Sequence, residues 1–381
     1  MVCAAARVRS RFSAIVPAMP YGPADAVDLS QVRCVLVVKL RHHGDVLLAS
    51  PVIATLKNHA PHAEVDALVY ADTAEMLSLH PGLAQLHLVD RKWKSMGSPA
   101  RASAEWRLFR ALRARRYDLL VHLTEHPRGA WLARLLGCRH CVAPDLPKKA
   151  GIWRRSFTHL YPLPARGGRH RVELDLDALR RIGVQPADGE RGLVLVPGAD
   201  AEARVTELLS AHGLADRGYV HLHPASRWQF KCWTPERTAA LIDRLHESGE
   251  RVVLTAAPEE DELALVAAIC GRTRTPAVDL SGKLTLKMLA ALSGRAKLFI
   301  GVDSAPMHIA AAVGTPVVAL FGPSGEAEWS PWKVAHRVVA SSEHRCRPCG
   351  NDGCGGGKVS ECLTSIPVQA VLDAVVELLP R

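Results

Sequence analysis

Residues 34–59 read CVLVVKLRHHGDVLLASPVIATLKNH. The run Cys34 to Val38 is wholly apolar and mostly β-branched, the pattern of a strand covered on both faces, as in a parallel sheet. From Asp45 onward the apolar residues recur at helical spacing. Between strand and helix stand Lys39, Arg41, His42, His43, Gly44 and Asp45. Open parallel α/β sheets bind ligands at this place, outside the carboxyl ends of their strands. The stretch therefore predicts a doubly wound α/β fold and marks one edge of it as a candidate site.

Outward from there the same rhythm continues. Strands are predicted at 64–70, 86–89, 118–123 and 141–143, with helices over DVLLASPVIATLKNH (45–59) and AEWRLFRALRARR (104–116). Residues 144–168 are rich in Pro, Gly and Arg and show no clear period. A helix follows over 171–183, stopped by Gly183, and VQPADGERG (184–192) reads as a linker. The rhythm then restarts with strands YVHLH (219–223), RVVLT (251–255), AVDL (277–280), KLFIG (297–301) and PVVALFG (316–322). Helices are expected near 235–248, 259–270, 285–293 and 304–313. The expected organisation is an N-terminal extension, 1–30, without fixed structure, then two Rossmann-like units over 31–190 and 191–381. Their carboxyl edges face each other across a cleft. A last amphipathic helix, 367–379, is expected to pack back across the junction.

Composition narrows the function. The 381 residues are 48% hydrophobic but only 5% aromatic, with a net charge of +10. That charge favours an acidic partner without choosing among nucleic acid, anionic lipid and phosphorylated substrates. No apolar run reaches membrane-spanning length, since 296–322 is interrupted by Asp303, His308 and two prolines. Ten cysteines without a secretory signal argue for reduced thiols in a cytoplasm. A nucleic-acid binder would interleave aromatic with basic residues as stacking platforms. Here Trp228, Trp233, Trp329 and Trp332 stand beside candidate ligand loops instead, so no nucleic-acid partner is expected.

Four further clusters carry chemistry. HLHPASRWQFKCWTP (221–235) sets Arg227 and Lys231 in a strand-end loop before a helix opened by Thr234 and Pro235; it is either a solvated loop or a cationic partner for an anionic leaving group. FIGVDSAPMHIAAAVGTPVVALFGPS (299–324) puts Asp303 and Ser304 ahead of a small-residue helix, with His308 four residues on. That is a helix N-terminus suited to an anion. APEEDE (257–262) offers carboxylates to ribose hydroxyls, Glu260 first, with Glu259 and Glu262 as rivals. CRPCGNDGCGGGKVSEC (346–362) carries Cys346, Cys349, Cys354 and Cys362, which read either as free thiols or as a structural zinc site. Asp45 itself reads either as a helix N-cap or as a general base in the cleft.

Taken together, VLVVKLRHHGDVLLASPVIATLK (35–57), HLHPASRWQFKCWTP, VDSAPMHIAAAVGTPVVALFGPS (302–324) and CRPCGNDGCGGGKVSECL (346–363) resemble the ADP-heptose:lipopolysaccharide heptosyltransferases, glycosyltransferase family 9. The runs KLRHHGDVLL and CGNDGCGGGK are most similar to the type that adds the third heptose. The resemblance spans residue 31 to the C-terminus. It implies a GT-B fold, with acceptor on the first unit and ADP-sugar on the second. It also implies inverting transfer from ADP-heptose to a phosphorylated lipopolysaccharide inner core, with no required cofactor or catalytic metal. By position, Asp45 would be the general base and Lys231 would neutralise departing ADP. Arg227, Glu260, Asp303, Ser304 and His308 would hold the donor, while Lys39, Arg41, His42 and His43 would meet the acceptor. The enzyme would act in the cytoplasm, touching the anionic inner membrane peripherally. Rival readings are another GT-B nucleotide-sugar transferase, an epimerase, or a basic nucleic-acid-binding protein.

Overall fold

The computed structural model describes residues 23–164 and 168–379. The first unit contains strands β1 (Cys34–Val38), β2 (Glu64–Tyr70), β3 (Gln85–Val89), β4 (Leu119–His122), β5 (His140–Asp145) and β6 (His159–Pro162). Its helices are α1 (His43–Leu48), α2 (Ser50–His59), α3 (Ser98–Ala114), α4 (Arg128–Leu136), α5 (Ala150–Arg154) and α6 (Arg171–Arg181). The second unit contains β7 (Val220–His223), β8 (Val252–Leu254), β9 (Val278–Asp279), β10 (Leu298–Val302), β11 (Val317–Phe321) and β12 (His336–Ala340). Its helices are α7 (Ala199–Ala211), α8 (Pro235–Glu247), α9 (Glu260–Cys270), α10 (Leu286–Arg295), α11 (Ala305–Ala312), α12 (Glu326–Trp329), α13 (Glu361–Thr364) and α14 (Val368–Leu378).

Both sheets are parallel and share one topology. The first runs β3-β2-β1-β4-β5-β6 and the second β12-β11-β10-β7-β8-β9. Each is therefore a Rossmann-type sheet whose strand order reverses between its first and fourth strands, at β1/β4 and at β7/β10. All five residues of β1 are buried, as its unbroken apolar run requires of a central parallel strand. Helix starts follow the residues that favour them. Pro51 opens α2, and the Thr234 hydroxyl caps α8 by accepting from the Arg237 N–H at 3.3 Å.

The core of the first unit does not end at the junction. Leu289, Ala290 and Ile309, from α10 and α11, join the cluster formed by Val37, Val46 and Ile53. Apolar packing thus holds the two carboxyl edges against each other. The linker is pinned on both sides. The Trp332 indole N–H donates to the Arg191 carbonyl at 2.6 Å, and the Val194 N–H donates to the Ser50 hydroxyl at 2.9 Å.

Three expectations change. Residues 1–22 of the expected extension lie outside the described residues, but residues 25–30 are built into the first unit. Val27 is buried, its N–H bonds the Ile182 carbonyl at 3.0 Å, and Asp25 pairs with Arg181 at 2.7 Å. Gly183, at φ +91°, leaves room for this segment, because a Cβ there would lie 2.7 Å from Ala26 Cβ. Residues 144–168 hold α5 and β6 where the sequence showed no period. Helix α14 packs on α8, β11 and β12 within the core of the second unit rather than across the junction.

Candidate active site

The two switch points face each other, and each carries a lysine that reaches across it. Lys39 follows β1 directly. Its Nζ lies 2.6 Å from Asp175 of α6 and 3.5 Å from the Leu123 carbonyl beyond β4. With 1% of its surface exposed, Lys39 cannot meet an acceptor, which corrects the sequence reading. The strand's burial simply extends one residue further than the charge suggested. Burial pulls its ammonium pKa down to about 8, aided by Arg171 and opposed by Asp175.

Lys231 occupies the corresponding place in the second unit. From the loop after β7 its Nζ lies 2.6 Å from Asp303, the residue after β10. Lys231 keeps 22% of its side chain exposed and Asp303 8%, so this pair borders the cleft rather than the core. Asp303 is thus committed to Lys231 and does not cap α11. Ser304 occupies the N-cap position but makes no capping bond, and its buried hydroxyl has no partner within the protein. His308 is 3% exposed and its Nδ1 is equally unpartnered. Buried polar atoms are normally satisfied, so two orphans on one helix start mark a place where a ligand's polar atoms fit.

His308 is the meeting point of the units. Burial holds its pKa down at about 4, while the charges of Asp303, Asp45 and Lys231 all act on it. A Cβ on Gly44 would lie 3.1 Å from His308 Cδ2. The backbone of α1 therefore rests against the His308 ring, and only glycine allows that approach at this distance. Asp45, one residue on, stands in the first turn of α1 at this contact.

The remaining residues of the first edge line up unevenly. Arg41 is exposed and lies 3.7 Å from Asp45. His42 precedes α1 without making a cap bond, and burial lowers its pKa, with Arg91 and Arg227 adding to the effect. The Arg227 guanidinium lies over the Trp228 ring, 5.5 Å from its centroid. His43 is taken up by the Asp72 carbonyl at 2.8 Å.

Two further groups of candidates lie in the second unit. Glu260 is exposed on the first turn of α9. The carboxylate turned back toward the strand end is Glu262, which accepts from the Ala257 N–H at 3.0 Å and is raised in pKa by burial. Cys346, Cys349, Cys354 and Cys362 do line one cavity of about 240 Å³. Among the described residues no group of three or more His, Cys, Asp or Glu side chains is disposed to hold a metal ion. These four are among the free cysteines.

The sequence missed three residues of the cleft. Asp175 accepts from both Lys39 and Arg171, the latter at 3.0 Å, and Arg171 retains a buried Nε with no partner. Glu328 of α12 is half-buried, and its pKa is raised by burial and by Asp45, Asp175 and Asp303, against the pull of Arg171. Glu328 follows β11, and the strand-end rule would have found it had 324–332 been read as a helix start. Arg171 and Asp175 lie on a helix far along the chain, and nothing local signals their role.

The family model for glycosyltransferase family 9 (heptosyltransferase) matches residues 105–359. The chain is 39% identical over 343 residues to lipopolysaccharide heptosyltransferase 3 of Escherichia coli, covering 90% of this chain and 98% of that one. Among solved structures, a family 9 glycosyl transferase from Veillonella parvula superposes with a TM-score of 0.79 at 24% identity, covering 93% and 99% of the two chains. The E. coli ADP-heptose lipopolysaccharide heptosyltransferase II superposes with a TM-score of 0.70 at 20% identity, covering 90% and 98%.

Proposed function

We propose, from the premise that the chain belongs to glycosyltransferase family 9, the heptosyltransferases, that it transfers heptose from ADP-heptose to the inner core of lipopolysaccharide. The kinship to heptosyltransferase 3 supports the third heptose, added to a core that already carries two. The first unit takes the acceptor and the second takes the donor. The acceptor is borne on lipid A, so the enzyme works at the cytoplasmic face of the inner membrane. No helix among the described residues is long and apolar enough to cross it.

The observation that carries this reading is the convergence of Asp45, His308 and the Lys231–Asp303 pair where α1 meets α11. Asp45 takes the proton of the acceptor hydroxyl as that oxygen attacks the anomeric carbon of the heptose from the face opposite the nucleotide. The bond from the anomeric carbon to the β-phosphate oxygen breaks, and ADP leaves with the electron pair. Lys231 meets the charge that develops on the diphosphate, an electrostatic role that strengthens in the transition state. Before the donor arrives, Asp303 holds that ammonium in place through their 2.6 Å contact. The free N–H groups at the start of α11, with the unpartnered Ser304 hydroxyl, suit the diphosphate. The unpartnered His308 Nδ1 suits a donor hydroxyl. Arg41, Arg227 and the free Nε of Arg171 give the cleft the cationic lining that phosphate-bearing glycan needs.

The test is Asp45→Ala. The purified variant should lose heptose transfer and keep binding ADP-heptose by calorimetry. Turnover close to that of the unaltered protein would remove Asp45 from the role of base.

A further inference from the structure

We propose that the outer faces of α3, α4 and α5 form a docking surface for an anionic lipid bilayer. The inference rests on the lipid-borne acceptor proposed above. Residues 91–155 hold sixteen Lys and Arg against four Asp and Glu, a net of +12, while the rest of the chain holds 32 against 34. The positive charge of the whole protein therefore sits on this one stretch. Arg128 and Arg154 are neutralised by Glu105 and Asp145. Arg107, Arg110 and Arg113 have no carboxylate partner among the described residues, and all are exposed.

The same surface is apolar where a soluble helix should be polar. Helix α3 buries only Ala104 and Leu112 of its 17 residues. Trp106 is 59% exposed, Trp131 58% and Ile152 61%. These belong to α3, α4 and α5 in turn, and the helices lie side by side. Arg128 of α4 donates to Glu105 of α3 at 2.6 Å, and Arg134 of α4 donates to Ser156, just beyond α5, at 2.8 Å. All three pack on one face of the first sheet, through Leu112, Ala133 and Trp153.

Tryptophans set among arginines suit the headgroup level of a membrane, where the ring sits at the acyl boundary and the cations meet lipid phosphate. An aliphatic side chain such as Ile152 finds apolar surroundings in a bilayer and none on nucleic acid. Position agrees with chemistry. Lys149, just before α5, donates to the Glu125 carbonyl at 2.8 Å, so the surface begins at the carboxyl edge of the first sheet. That is the edge from which Asp45 enters the cleft. A protein seated on this surface presents its acceptor side to a glycan rising from the same membrane.

The experiment is co-sedimentation of the full chain with vesicles of phosphatidylcholine, alone or with phosphatidylglycerol at about one part in three. Binding should require phosphatidylglycerol, weaken with salt, and fall about tenfold or more in the triple variant Trp106→Ser, Trp131→Ser, Ile152→Ser. A second variant, Arg107→Glu with Arg110→Glu, should lose the salt-sensitive part. Absence of binding by the unaltered chain overturns the proposal, as does unchanged binding by both variants. Variants that break a dimer in sedimentation velocity without changing vesicle binding also overturn it, since the surface then joins two copies. Transfer to a deacylated, water-soluble core keeps this question apart from the reaction. Its rate should be the same in the triple variant, and its absence in the unaltered chain counts against the proposed reaction, not against docking.

Discussion

Lys231 donates to Asp303 over 2.6 Å, tying the loop after β7 to the residue after β10 across the strand-order switch of the second sheet. Asp303 is nearly buried, but Lys231 keeps 22% of its side chain exposed, so water screens part of the attraction and the pair contributes less to stability than to where a positive charge sits in the cleft. Lys231→Ala should lower kcat about a hundredfold or more, the usual cost of removing a group that stabilises transition-state charge. The melting temperature should move little. Steady-state kinetics beside a thermal melt decides it; a matching loss in both would make the lysine structural.

Gly44 and His308 bring the two units into contact. In Gly44→Ala the new Cβ would lie 3.1 Å from the His308 ring, so the ring or α1 must shift by tenths of an ångström. Asp45 moves with α1, and misplacement of a reacting group on that scale is costly. We expect kcat/KM to fall about tenfold with the melting temperature nearly unchanged. Unchanged kinetics would mean that this contact does not position Asp45.

Asp175 answers two cations, Lys39 at 2.6 Å and Arg171 at 3.0 Å, all with little or no exposure. Removing the shared carboxylate leaves buried charge uncompensated. Asp175→Ala should cost about 3–5 kcal/mol, and adding Lys39→Met should recover part of it by removing one stranded charge. Chemical denaturation of the single and double variants measures this. A single variant within about 0.5 kcal/mol of the unaltered protein would contradict the account.

Acid should loosen the seam between the units. Burial holds His308 and His170 at about 4, below the ordinary histidine value of 6.5. His170 is neutral by its partners as well. Its Nδ1 accepts from the Val172 N–H at 3.3 Å, capping α6, and its Nε2 meets the Ser330 carbonyl at 2.9 Å. Because the folded values are depressed, the stability they contribute is full above pH 6.5 and is lost as pH falls toward 4, where the unfolded chain binds more protons. Each histidine can contribute up to about 3 kcal/mol. Melting temperatures from pH 7.5 to 4.5 should therefore fall, less steeply in His170→Asn. Identical slopes would exclude His170 from the effect.

What the sequence disclosed was local. The all-apolar run of β1, the glycine before Asp45, and the Thr234–Pro235 and Ser304–Pro306 helix starts are patterns within a few residues, and each sits where it was expected. Strands β6 and β12 were missed because they lie at sheet edges, where HLYP and HRVVA keep polar residues that blur the period. Lys39 was misread because charge suggests exposure, whereas its place directly after a buried strand decides otherwise. Its partner Asp175 lies 136 residues away. Asp175, Arg171 and Glu328 reach the cleft only through folding, so no spacing announces them.

The most direct test of the account is the acceptor. Purified protein and ADP-heptose would be incubated with cores truncated before the first, second or third heptose, and the products weighed by mass spectrometry. The account predicts a gain of one heptose on the core that already carries two, and on no other. A gain on a different core, or none on any while ADP-heptose stays intact, would contradict it.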